Sequence, residues 1–205
     1  MILALDTTTE FGSIALVEGE RVIEEVPLHS PDGFGHILFG HIERLLANHG
    51  TSLDQIDVFA SASGPGSFTG VRLGLTAVKG LAEATGRKVV AVSNLQAMAW
   101  FGTRPLRATV LDARRGEVYG AVYDASLRAV RDEVVMKFPA WLATLPEGDL
   151  EFITTGFPIT GALVRAPIVE APRALAGAIG RIAGTREARD PGEIDANYVR
   201  KADAE

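Results

Sequence analysis

The stretch Ile2-Leu3-Ala4-Leu5-Asp6, followed across a short turn by Gly12-Ser13-Ile14-Ala15-Leu16-Val17, has a second copy in the same chain. There Ala108-Thr109-Val110-Leu111-Asp112 leads through a turn to Gly116-Glu117-Val118-Tyr119-Gly120-Ala121-Val122. Each copy reads as an apolar strand, an aspartate at its C-terminal end, a turn, a glycine and a second strand. The two aspartates stand about half of the 205-residue chain apart. Recurrence at that distance points to a duplicated lobe, the alternative being a chance likeness between two hairpins. The fold class it predicts is α/β, two-lobed, with mixed sheets flanked by helices. The breaker cluster Gly102-Thr103-Arg104-Pro105 divides the chain into an N-terminal lobe, 1–103, and a smaller, degenerate C-terminal lobe, 104–205.

Outward from the first copy, Glu18-Gly19-Glu20 turns into a third strand, Arg21 to Leu28, and Ser30-Pro31-Asp32-Gly33 reads as a loop. A helical pattern then runs from about Phe34 to His49, and Gly50 stops it. Next come a buried-type strand, Ile56 to Ala62, a turn at Gly64-Pro65-Gly66-Ser67, a helix from Thr69 to Thr85, a strand from Val89 to Val92 and a short helix from Asn94. The second half offers a strand at Arg131 to Phe138, a helix near Ala140 to Leu145, a strand at Glu151 to Thr155 and a small-residue helix from Arg173 to Ala183. The polar tail from Asp195 is expected to pack through Tyr198 and Val199 alone.

Composition narrows the function classes. With 47% hydrophobic and 22% charged residues the chain can build a core. Its apolar runs fall far short of the roughly 20 residues that span a bilayer. The N-terminus lacks the basic and apolar regions of a secretory leader, and cysteine is absent, so a cytoplasmic protein without disulfides or thiolate chemistry is expected. The net charge of −6 is wrong for a self-sufficient nucleic-acid binder. Arg104, Arg107, Arg114 and Arg115 lie close together in sequence and read as solvated charges.

In a duplicated fold of this kind, hairpin-turn amides can face the phosphates of a nucleotide while the paired aspartates hold hydrated magnesium. The candidate nucleotide-binding residues are therefore Asp6, Thr7, Thr8, Asp112 and Arg114; the alternative is that the aspartates cap strand ends. The block Gly64-Pro65-Gly66-Ser67-Phe68-Thr69-Gly70-Val71-Arg72-Leu73-Gly74 places a tight turn before a helix. It lacks the Gly-Lys-[Ser/Thr] ending of a Walker A loop and the flanking glycines of a nucleophile elbow. Along the helix, Gly70, Gly74, Ala77 and Leu81 leave one face nearly bare, so a neighbour can approach closely. That neighbour is either the chain's own first helix or another subunit. The histidines lack metal-site spacing, since His36 and His41 are five apart.

Asp6-Thr7-Thr8-Thr9-Glu10, the glycine block and Asp112-Ala113-Arg114-Arg115-Gly116-Glu117-Val118-Tyr119 together resemble the TsaB (YeaZ) family of bacterial tRNA threonylcarbamoyladenosine biosynthesis proteins. The likeness is carried by the first 125 residues. It implies an actin-like (ASKHA, ribonuclease H-like) fold that has lost autonomous catalysis. It implies a scaffold that dimerises with the catalytic paralogue TsaD, allows the ATPase TsaE to join, self-associates when alone and meets tRNA only indirectly. The joint product is N6-threonylcarbamoyladenosine next to the anticodon of ANN-reading tRNAs. ATP or ADP with magnesium would then sit at the partner junction. The resemblance places the interface on the two N-lobe helices, near Ile37, Leu38, His41, Leu45, Gly70, Gly74, Ala77 and Leu81. Asp32-Gly33-Phe34-Gly35 departs from the family pattern at the start of the first helix. The wider superfamily keeps open an ATPase, phosphotransferase or peptidase-like enzyme.

Overall fold

The computed structural model describes residues 1–159 and 164–199. Among these described residues ten strands form two five-stranded mixed sheets. In the first, β1 (Ile2–Asp6), β2 (Phe11–Glu18) and β3 (Arg21–His29) make an antiparallel meander, and β4 (Val58–Ala62) and β5 (Lys88–Val92) extend it in parallel from β1. In the second, β6 (Leu106–Arg114), β7 (Glu117–Asp124) and β8 (Ala129–Lys137) repeat the meander. There β9 (Leu150–Thr154) and β10 (Ile168–Glu170) run parallel to β6. The spatial orders, β3-β2-β1-β4-β5 and β8-β7-β6-β9-β10, are the same. The repeat read from Asp6 and Asp112 is thus a repeat of topology, with both aspartates near the C-terminal end of the strand that starts each meander.

The helices are α1 (Leu38–Asn48), α2 (Phe68–Thr85), α3 (Asn94–Ala99), α4 (Phe138–Leu142) and α5 (Ala176–Ala183). On α1, Leu38, Ile42, Leu45 and Leu46 recur at helical spacing and are buried with Leu3, Leu5, Ile14 and Leu16 in one cluster. Val71, Leu75 and Val78 of α2 join that cluster. Helix α1 begins four residues later than its apolar pattern suggests. Gly33 has a positive φ of 87°, and Phe34 is buried over Gly12, so residues 34–37 form a turn that precedes the helix. Ser67 caps α2, accepting from the Gly70 N–H, and Gly86, left-handed at φ 65°, ends it. In the second unit, Trp141 is the largest core side chain, in edge contact with Phe152 and seated where a Cβ on Gly120 would strike its indole.

The division of the chain departs from the 103/104 boundary. One compact unit is Met1–Asn94 with Arg173–Asn197; the other, among the described residues, is Leu95–Pro172 with Tyr198 and Val199. The reason is α5. Its Gly177 and Gly180 let it lie directly on the first sheet, where a Cβ would meet Glu25 and Val22, or Val17 and Ala4. The amides at its start are satisfied from that sheet: Leu175 and Ala176 donate to Ser13 Oγ and Gly177 donates to Glu25 Oε1. The segment after α5 also packs more than expected. Arg189 bridges Val89 on the edge strand, Ile194 is buried, and the Asn197 N–H donates to the Ser63 carbonyl, while Tyr198 stays half exposed.

Candidate functional site

The site centres on the β1–β2 turn. Asp6 ends the central strand of the first sheet and is 2% exposed. Thr8 donates to its Oδ1 twice, from the backbone N–H at 3.0 Å and from the hydroxyl at 2.7 Å. Asn94, the first residue of α3, donates its Nδ2 to both carboxyl oxygens at 3.4 and 3.3 Å and to Thr8 Oγ1 at 2.8 Å. Burial is the largest influence on the carboxyl and pushes its pKa above the usual aspartate value, while the Thr8 and Asn94 hydrogen bonds pull the other way.

The glycine block is fitted into this turn. The Gly64 N–H donates to Asn94 Oδ1 at 3.1 Å and the Asn94 N–H to the Gly64 carbonyl at 2.9 Å. The Ser67 N–H donates to the Thr8 carbonyl at 2.7 Å, and the Thr7 hydroxyl to the Gly70 carbonyl at 2.7 Å. A Cβ at Gly66 would lie 2.6 Å from the Thr8 carbonyl oxygen, and one at Gly74 would lie 2.7 Å from both Ser61 Oγ and Thr7 Oγ1. At Gly70 it would overlap the Thr7 carbonyl. Backbone at these points comes closer than any residue with a Cβ permits.

This corrects two sequence expectations. First, the side chains of the candidates Thr7 and Thr8 are not open to a phosphate: each residue is 1% exposed, and both hydroxyls serve internal bonds. The set does not fit a divalent cation either, because the groups that hydrogen-bond to Asp6 are donors that a cation would have to displace. Second, the bare stripe of α2 is not a vacant face. Gly74 and Ala77 are buried, and Gly70 and Gly74 face the chain's own turn. Leu38 and Leu45 likewise belong to the first unit's core. Ile37, His41 and Leu81 are half-buried, and Ile37 and Leu81 lean on that core. The large apolar side chains that α1 and α2 show to solvent are Phe39 and Phe68, each 53% exposed, with the Arg72 guanidinium 3.7 Å above the Phe68 ring.

The second aspartate has a different setting. Asp112 is exposed and accepts from the Arg114 N–H at 2.8 Å, with the Arg114 guanidinium 3.7 Å from its other oxygen. Arg114, Arg115 and Gly116 follow with φ of 65°, 54° and 72°, closing the β6–β7 hairpin. Arg104 pairs with Asp149 at 2.9 Å, and Arg107 donates to the carbonyls of Ala99 and Arg104. The residue that sequence reasoning missed is Asn94. It looked like an ordinary start of a helix, whereas its side-chain amide donates to Asp6 across 88 positions of sequence and accepts from Gly64 across 30. Among the described residues no group of three or more metal-ligating side chains assembles, and no helix is long and apolar enough to cross a membrane.

Residues 26–160, well over half of the chain, match the family model described as TsaD, tRNA N6-adenosine threonylcarbamoyltransferase. TsaB of Escherichia coli is 40% identical over 126 residues, which cover 60% of this chain and 54% of that protein. The chain therefore spans about half the length of that relative. TsaB of Bacillus subtilis is 32% identical over 161 residues, covering 76% of this chain and 70% of that protein. Among solved structures, YeaZ from Pseudomonas aeruginosa superposes with a TM-score of 0.80 at 28% identity, over 96% of this chain and 98% of that one. A second Pseudomonas aeruginosa structure, described as similar to the peptidase YeaZ, has a TM-score of 0.82 at 28% identity, over 97% and 99%. With its duplicated topology, its glycine block and these relatives, the chain belongs to the TsaB (YeaZ) family, within the wider family described by the TsaD model.

Proposed function

We propose that this chain serves in forming N6-threonylcarbamoyladenosine next to the anticodon of ANN-reading tRNAs, as a non-catalytic subunit. In this reading it pairs with the TsaD transferase through the solvent faces of α1 and α2, enables TsaE to join, and forms a homodimer when TsaD is absent. The observation that carries the reading is the sealed β1–β2 turn. A fold of this class would bring phosphates to that turn, but here its carboxylate and both buried threonine hydroxyls are committed to the chain itself. The acidic balance, net −6, suits a subunit that leaves tRNA to its partner. The interface moves from the buried glycines to the exposed residues around Phe39, Phe68 and Arg72. Phenylalanine and arginine are among the side chains enriched in the cores of protein interfaces.

The test is reconstitution of the tRNA modification from purified TsaD, TsaE and the threonylcarbamoyl adenylate, with and without this chain. Product is expected only when the chain is present, and the chain alone is expected to show no turnover of Mg-ATP. Equal product without it would reject the subunit role. ATP hydrolysis by the isolated chain that disappears in Asp6→Asn would establish the phosphotransferase alternative instead.

A further inference from the structure

We infer that Asp6, Thr8 and Asn94 form a positioning lock that fixes the first turn of α2, and through it Phe68 and Arg72, in the geometry that the partner recognises. The inference rests on the docking reading above and assigns the buried aspartate a task within it.

A carboxyl 2% exposed is costly to keep in a core, and replacing a buried polar network with well-packed apolar residues is often neutral or stabilising. What such a network supplies best is a single geometry. Here the hydrogen bonds run in one direction, toward the start of α2. Asp6 orders Thr8 and Asn94. Asn94 then grips Gly64 through both its side chain and its backbone. From the same turn, the Thr8 carbonyl holds the Ser67 N–H and the Thr7 hydroxyl holds the Gly70 carbonyl. Residues 64 to 70 are thereby clamped at four backbone points, and the glycines at 66 and 70 leave no slack between helix and turn. Phe68 lies inside that clamped span, and Arg72, one turn further along, is stacked on its ring. The bonds that Asp6 accepts come from Thr8 and Asn94, and both of those residues lead to the segment entering α2, so the lock acts on the α2 half of the face.

The pairing is directional, which makes it testable by exchange. Asp6→Asn sets an amide N–H₂ against the Asn94 N–H₂. Asn94→Asp sets carboxyl against carboxyl. The double exchange Asp6→Asn with Asn94→Asp restores a donor facing an acceptor between positions 6 and 94, and the carboxylate introduced at 94 can still accept from the Gly64 N–H, while the single hydrogen of Thr8 Oγ1 then lies between two acceptors and part of the network stays unsatisfied. Calorimetric titration of each full-length variant with TsaD, at a temperature where circular dichroism shows it folded, is expected to show each single variant weakened by about tenfold or more. The double exchange is expected to recover part of that loss and bind more tightly than either single variant. Phe68→Ala should weaken binding on its own, and Asp6→Asn should add little further loss in that background, because the aspartate acts through Phe68.

Should a single exchange fail to fold, Thr8→Val, which keeps the backbone bond to Asp6 and removes the hydroxyl, carries the test beside the double exchange. Single variants with natural affinity, a folded double exchange without recovery, or strictly additive losses with Phe68→Ala would each overturn the lock. If Phe68→Ala leaves affinity unchanged, or the natural chain does not bind TsaD, the docking reading itself fails; if Phe68→Ala weakens binding and Asp6→Asn does not, only the lock fails.

Discussion

Asp6 shows how burial and hydrogen bonding compete at one atom group. Burial penalises the charged form and is the largest influence; the Thr8 and Asn94 donors offset part of it, and Glu25 adds a smaller unfavourable charge. The folded pKa is raised above the unfolded value, so folding favours the protonated acid. That contribution is fully present below the unfolded value and is lost as pH rises through the folded one. The stability of the natural chain minus that of Asp6→Asn should therefore shrink as pH is raised from about 4 toward neutrality. Urea denaturation of both proteins across that range, read by circular dichroism, measures the difference; a gap that stays constant or widens would show that burial does not dominate at this carboxyl.

At the level of elements, the telling case is α2. Alanine in place of glycine in a helix interior ordinarily gains about 1 kcal/mol. At Gly70 the sign should reverse, because the new Cβ would overlap the Thr7 carbonyl, which is backbone and cannot swing aside. Overpacking of this kind costs about 1–3 kcal/mol, so Gly70→Ala should lower the denaturation midpoint, whereas Gly80→Ala, with open space around its Cβ, should raise it. Equal effects at the two sites would show that the close approach is not tight. The contrast also shows what sequence could and could not give. The glycine stripe was legible as a site of close approach, and its occupant was not, since spacing along one helix says nothing about which backbone comes near. Asp6 and Asp112 were legible as equivalents because strand, aspartate, turn and strand recur locally. Their different surroundings were not, because Asn94 reaches the first from 88 residues away while Arg114 is only two residues from the second. Likewise, the tertiary capping of α5 by Ser13 and Glu25 joins positions more than 150 apart, beyond any local pattern.

Across the whole molecule, duplication of topology does not mean two consecutive, self-sufficient lobes. The first sheet is covered on one face by α1 and α2, whose core residues pack with Leu3, Leu5, Ile14 and Leu16. The alternate residues of the same strands, Ala4 and Val17, face Gly180 of α5, which arrives from the far end of the chain. A polypeptide of residues 1–103, the N-terminal lobe as sequence alone would cut it, lacks that helix and the polar caps that Ser13 and Glu25 make with it. Its second sheet face would be bare, and a sheet needs both apolar faces covered to be stable. Such a fragment is expected to bind the dye ANS, lose near-ultraviolet circular dichroism and self-associate. Joining residues 173–197 to it, by a flexible linker or as a separate peptide, should restore a cooperative unfolding transition. A fragment of 1–103 that unfolds cooperatively on its own, with no gain from the added segment, would mean that α5 decorates the first unit and does not complete it.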